Sequence, residues 1–110
     1  MPYVITSACI DTMDQSCVEE CPVSCIYVGA RKLYIHPDEC IDCGACEQVC
    51  PVQAISQDRR VAREEAEFIA DNRRFFTEVL PGREAAVGSP GGAGQSGDIG
   101  VDTPLVTAWG

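Results

Sequence analysis

One cysteine-rich unit occurs twice in this chain. Cys9-Ile10-Asp11 is answered by Cys40-Ile41-Asp42, Cys17 by Cys46, Cys21-Pro22-Val23 by Cys50-Pro51-Val52, and Ile26 by Ile55. Two departures from the repeat carry information. Thr12 stands where the second copy has Cys43, and four residues rather than two separate that position from the next Cys. Cys25, in turn, aligns with Ala54. All eight Cys lie between Cys9 and Cys50, so the chemistry is confined to the N-terminal half. The N-terminal stretch MPYVITSACID has no basic segment followed by an apolar run, which predicts an unexported, cytoplasmic protein. In a reducing compartment these Cys read as metal ligands or redox groups, not as a disulfide scaffold.

The second copy, Cys40-x2-Cys43-x2-Cys46-x3-Cys50-Pro51, has the spacing that holds iron–sulfur clusters, with the fourth Cys serving the other cluster when two are present. Three thiolates two residues apart curl around one face of a cluster, and Gly44 permits close backbone approach. Cys50 is then left for a different centre. By the same logic Cys21, followed by Pro22, crosses over to complete the set Cys40, Cys43 and Cys46, giving four ligands and a 4Fe-4S cluster. Cys50 crosses the other way to join Cys9 and Cys17. Because Thr12 replaces the remaining Cys, three thiolates point to a 3Fe-4S cluster, with the lengthened Met13–Ser16 loop free to close over the vacant corner. Zinc is the nearest competitor, but it needs separate groups of four ligands, whereas here one run has four Cys and the other is irregular.

Apolar residues in the first 60 positions come as short pieces (Tyr3 to Ile5, Ile26 to Val28, Leu33 to Ile35, Val52 to Ile55), which predict short strands between turns. A domain of about 60 residues is marginal by burial alone, and a metal core would make up the deficit. From about Val61 to Leu80 the apolar residues recur at near-helical spacing, predicting an amphipathic helix that Asp71-Asn72 could interrupt and Pro81-Gly82 ends. Phe68, Phe75 and Phe76 are expected in its core face. The expected organisation is therefore 1–60 as a cluster domain, 61–81 as a helical extension packed on it, and 82–110 as a Gly/Pro-rich irregular tail whose end docks on the domain or on a partner.

The segment CIDTMDQSCVEECPVSCIYVGARKLYIHPDECIDCGACEQVCPVQAI, residues 9–55, strongly resembles the seven-iron bacterial ferredoxins of actinobacterial type, and the resemblance extends more weakly to about Pro81. It implies an α+β, ferredoxin-like two-cluster fold, a pseudo-twofold repeat of short strands and helices. It also implies 3Fe-4S ligands at Cys9, Cys17 and Cys50, 4Fe-4S ligands at Cys21, Cys40, Cys43 and Cys46, and a free thiol at Cys25. The residues themselves favour Cys25 as a small buried hydrophobe beside a cluster. Some members of the family carry Cys or Asp at the position of Thr12.

No acid/base pair, nucleophile or substrate cleft is evident, so the chain is expected to carry electrons, not to act as an enzyme on a substrate of its own. His36, before Pro37 in an exposed-looking turn, reads as structural. SPGGAGQSG lacks the Lys-Ser/Thr of a phosphate loop. Ile10, Val23, Ile26, Ile41, Val52 and Ile55 are the apolar neighbours expected to keep water from the clusters. The formal net charge is −9, and between Cys9 and Cys50 eight acids face two bases. Clusters held by seven thiolates would add about −4 in the oxidised state. Nucleic acid and anionic membranes are thus excluded as partners, and no run is long and apolar enough for a membrane span. The expected partners are redox proteins with basic docking surfaces: a ferredoxin reductase, another oxidoreductase or a monooxygenase acceptor. Asp11, Asp14, Glu19, Glu20, Asp42 and Glu47 are the candidate steering acids. A free monomeric shuttle ranks ahead of a bound subunit of a larger oxidoreductase, and that ahead of an iron–sulfur sensor.

Overall fold

The computed structural model describes residues 3–13, 16–21, 24–41, 45–80, 82–88, 91–93 and 99–109. The β-branched and aromatic pieces form four three-residue strands: β1 (Tyr3–Ile5), β2 (Ile26–Val28), β3 (Leu33–Ile35) and β4 (Ile55–Gln57). Two five-residue helices, α1 (Ser16–Glu20) and α2 (Ala45–Val49), lie between β1 and β2 and between β3 and β4. Each copy of the repeat therefore supplies a strand, a helix and a strand. β1 pairs antiparallel with β4, and β2 pairs antiparallel with β3, so one two-stranded sheet joins the outer ends of the two copies and the other joins their inner ends. α1 packs against α2. The result is a small α+β fold.

The fourth strand begins later than its apolar run suggests. Gln53 has a left-handed φ of 55° and its N–H donates to the Cys50 carbonyl, so the chain is still turning at Val52, which stays exposed. Ser24 repeats this conformation in the first copy, with φ 52° and its N–H on the Cys21 carbonyl.

Side-chain alternation on the β2–β3 hairpin serves two cores at once. Ile26, Leu33 and Ile35 point into a cluster with Tyr3, Ile5, Ala54, Ile55 and the buried Cys residues. Tyr27 and Tyr34, cross-strand partners, point the other way against Phe68, Phe75, Phe76, Leu80 and Val106. Tyr34 stacks on Phe75 at 3.8 Å between ring centres, and Phe76 meets Tyr27 edge-on at 5.0 Å.

The extension is a single-turn 3₁₀ segment, Arg63–Glu65, followed by α3 (Glu67–Thr77). Asp71 and Asn72 do not interrupt α3, because both face inward and find partners. Asn72 accepts the Ile35 N–H at 3.0 Å and donates to the Ile35 carbonyl, completing the free edge of β3, while the Asp71 carboxylate accepts from the Thr103 hydroxyl at 2.7 Å. Val79, inside the stretch predicted to be helical, lies beyond the helix end and is 57% exposed. Pro81 lies outside the described residues.

The end of the chain is not irregular throughout. Pro104–Thr107 forms a short helix, α4, with Pro104 at its first position and the Thr103 hydroxyl accepting from the Val106 N–H. It docks on the domain, with Val106 buried and Trp109 edge-on to Phe68 at 5.2 Å. Gly29 is where this docking admits no side chain. A Cβ there would collide with the Asp102 carboxylate and come within 2.8 Å of the Tyr34 ring and 2.9 Å of the Lys32 carbonyl. No described helix is long and apolar enough to cross a membrane.

Candidate metal centres

Each short helix presents one thiol near its start and the next just past its end. Cys17 and Cys46 are the second residues of α1 and α2, and Cys21 and Cys50 follow their last residues. Four residues of helix advance the chain by about 6 Å, enough to carry Cys21 and Cys50 away from the thiols that precede them. Both of these sulfurs accept a backbone N–H four residues on: Cys25 N–H to Cys21 Sγ at 3.3 Å, and Ala54 N–H to Cys50 Sγ at 3.4 Å. The two left-handed turns at Ser24 and Gln53 bring those N–H groups round.

Six of the seven described thiols gather in two neighbourhoods. In the first, burial and then the neighbouring sulfurs of Cys9 and Cys50 push the Cys17 thiol up to about 12. Cys9 is also raised, mainly by burial, while the N–H groups of Leu33 and Met13 and the Lys32 ammonium pull the other way. Thr12, in the loop beside this group, is exposed, and Met13, with φ 47°, packs against the core instead. In the second neighbourhood Cys25 is buried against two sulfurs, with its Sγ 3.4 Å from that of Cys21. Hydrogen bonding to Cys40, burial and hydrogen bonding to Cys21 all hold the Cys25 thiol protonated, well above its usual range. Cys46 is buried in α2, and Cys43 lies outside the described residues. Among the described residues no three His, Cys, Asp or Glu side chains converge on a single-ion site. An open cleft lies beside Cys50, lined by Glu47, Gln48, Gln53, Ile55 and Ser56.

This donor set fits iron–sulfur chemistry. Soft sulfur donors in two groups, each with backbone N–H groups beside it, suit clusters whose charge resides on sulfur.

A sequence pattern described as "4Fe-4S binding domain" matches residues 33–56, the second copy of the repeat. A ferredoxin of Mycobacterium tuberculosis is 59% identical over 108 residues, spanning 98% of this chain and 95% of that protein. The chain belongs to the bacterial ferredoxins. These are iron–sulfur electron carriers. A ferredoxin of Saccharopolyspora erythraea is 50% identical over 108 residues, covering 98% of this chain and 94% of its own length. A protein named "Ferredoxin 7Fe" from Hydrogenibacillus schlegelii is 58% identical over 76 residues, 69% of this chain and 97% of its own.

Around the ferredoxin core the shielding expected from sequence is uneven. Ile26 and Ile55 are buried and Ile10 is half-buried, but Ile41, next to Cys40, is 57% exposed. Val23, Asp14 and Asp42 lie outside the described residues. Of the steering acids, Glu19 and Glu20 are exposed, Glu47 is half-buried, and Asp11 is held in a bidentate pair with Arg31 at 2.9 and 2.7 Å, which offsets its charge. His36 is buried, not exposed. Its Nδ1 accepts the Asp38 N–H at 3.1 Å, which leaves Nε2 to donate to the Gly88 carbonyl at 2.8 Å. Lys32, Asp71 and Asp102 are buried charges that no motif announced.

Proposed function

We propose that this chain is a free, cytoplasmic one-electron shuttle of the seven-iron type, in which Cys9, Cys17 and Cys50 hold a 3Fe-4S cluster and Cys21, Cys40, Cys43 and Cys46 hold a 4Fe-4S cluster. The observation that carries the reading is the crossing of thiols between copies. Cys50 from the second copy neighbours Cys9 and Cys17 from the first, and Cys40 from the second shares Cys25 as a neighbour with Cys21 from the first. The likeness to a relative named as a seven-iron ferredoxin supports the same count. Thr12, exposed and without a thiol, fits a first centre one ligand short.

A bound cluster supplies a site that takes up one electron with little rearrangement. The protein's part is to position, insulate and tune. Leu33, Cys25 and Ala54 direct N–H groups at sulfur, favouring the more negative state, while Ile5, Ile26, Leu33 and Ile55 exclude water. The acidic surface selects basic redox partners. Because the C-terminal segment folds back onto its own domain, it is occupied within the chain, which favours a shuttle over a subunit anchored by that segment.

The test is anaerobic purification with iron and sulfide counting and electron paramagnetic resonance before and after reduction. The expected result is seven irons and a signal from an oxidised three-iron centre beside a 4Fe-4S centre. Cys17→Ala removes the first signal and Cys46→Ala the second. Zinc or bridged sulfurs in place of inorganic clusters would refute the proposal.

A further inference from the structure

Lys32 is completely enclosed. Its Nζ donates to the carbonyl of Leu33 at 3.2 Å and sits 4.1 Å from the centre of the Tyr34 ring and 5.6 Å from that of Phe68. A carbonyl and two aromatic faces do not balance a buried unit charge, and burying an ammonium is costly unless an anion compensates it. The acidic groups facing it are Asp71 on α3, Asp102 ahead of α4, Glu65 ahead of α3, and the sulfur of Cys9. Three of these are engaged elsewhere. Asp71 takes the Thr103 hydroxyl, Asp102 takes the Tyr34 hydroxyl and the Arg31 N–H, and Glu65 takes the Ser7 hydroxyl. Among the described residues none of the carboxylates comes within ion-pair distance of Lys32.

Cys9, an anion once it ligates a cluster, is the remaining group, and the chain approaches it twice. Leu33, whose carbonyl receives the ammonium, directs its own N–H at the Cys9 sulfur. Lys32 and Leu33 therefore act on the same thiolate, one by charge through the core and the other by a hydrogen bond. The thiol set that Cys9 belongs to is also the one with fewer sulfur ligands in the proposed assignment.

We propose that Lys32 is the buried counter-ion of the cluster anchored by Cys9, Cys17 and Cys50, and that it holds this cluster's reduction potential above the value its acidic surroundings would otherwise impose. The inference rests on the two-cluster reading. Reduction adds one negative charge at the site, and a fixed cation in a poorly polarisable interior stabilises that state more than a solvated surface charge can. The cluster in turn supplies the anion that the carboxylates around Lys32 do not.

The experiment is redox titration of both centres, followed by electron paramagnetic resonance, in the cluster-loaded wild type, Lys32→Met and Asp71→Asn, with iron and sulfide counted in each. Methionine keeps the length of Lys32 among aromatic neighbours while deleting its charge. In Lys32→Met the potential of the three-iron centre is expected to move negative and that of the four-iron centre much less. In Asp71→Asn the three-iron centre is expected to move positive, because one carboxylate opposing Lys32 is gone. Should Lys32→Met lose its clusters, the direction of the Asp71→Asn shift decides. Unchanged potentials with intact clusters, or shifts of the same sign in both variants, would overturn the counter-ion role and leave the cluster assignment standing. A wild type without iron and sulfide would overturn both.

Discussion

Asn72 does for β3 what a third strand would otherwise do. Its amide meets both the N–H and the carbonyl of Ile35 from within α3, so a residue that would weaken an exposed helix is fixed here by the backbone it completes. Asn72→Ala leaves both Ile35 groups buried and unpaired and is expected to destabilise the protein by about 1–3 kcal/mol. Chemical denaturation should show a lower midpoint at unchanged slope. Gly29 is constrained for the opposite reason, lack of room. Gly29→Ala forces a methyl group into Asp102, Tyr34 and the Lys32 carbonyl, with an expected cost of about 1–3 kcal/mol read as a fall in Tm.

Arg31 joins three elements. Its guanidinium grips Asp11 in the loop after Cys9, donates to the carbonyls of Val106 and Trp109 at the end of α4, both at 2.9 Å, and its backbone N–H donates to Asp102 at 2.9 Å. A cation on the final carbonyls of a helix also complements its dipole. Asp11 can reach Arg31 because it adopts φ 66°, a left-handed conformation that Asp tolerates better than most residues. Arg31→Met is therefore expected to release α4, which the emission of the single Trp, Trp109, would report as a red shift. The ion pair has a defined pH response. Arg31 holds the Asp11 carboxyl below its ordinary value of 3.8, so the pair is complete above about pH 4 and is lost as pH falls through the lower folded value. The acid change in Trp109 emission should disappear in Asp11→Asn. Both partners reach solvent, so the accompanying loss of stability is small.

At the scale of the whole molecule, charge and shape act together. A formal charge of −9 on a chain whose Cα radius of gyration is 12.4 Å gives a strong field, and the exposed acids Glu19 and Glu20 and the half-buried Glu47 lie on the same short helices that carry Cys17 and Cys46. Replacing Glu19, Glu20 and Glu47 by Gln is expected to slow association with a basic haem protein used as one-electron acceptor and to flatten its dependence on ionic strength. Stopped-flow reduction at several salt concentrations measures both. Unchanged rates would locate steering elsewhere on the surface.

The Cys spacing and its repeat announced iron–sulfur chemistry, and the apolar pattern announced the short strands and the amphipathic extension, because ligand spacing and local periodicity are written in residues close together along the chain. Other features depend on contacts between residues far apart, such as Asn72 with Ile35, Thr103 with Asp71, Asp102 with Tyr34 and Gly88 with His36. No local pattern foretold that α3 would run unbroken through Asp71-Asn72, that His36 and Lys32 would be buried, or that the final residues would form a helix docked by Arg31. A polar side chain can be enclosed only when a distant group completes its hydrogen bonds or balances its charge, and only the folded chain brings such groups together.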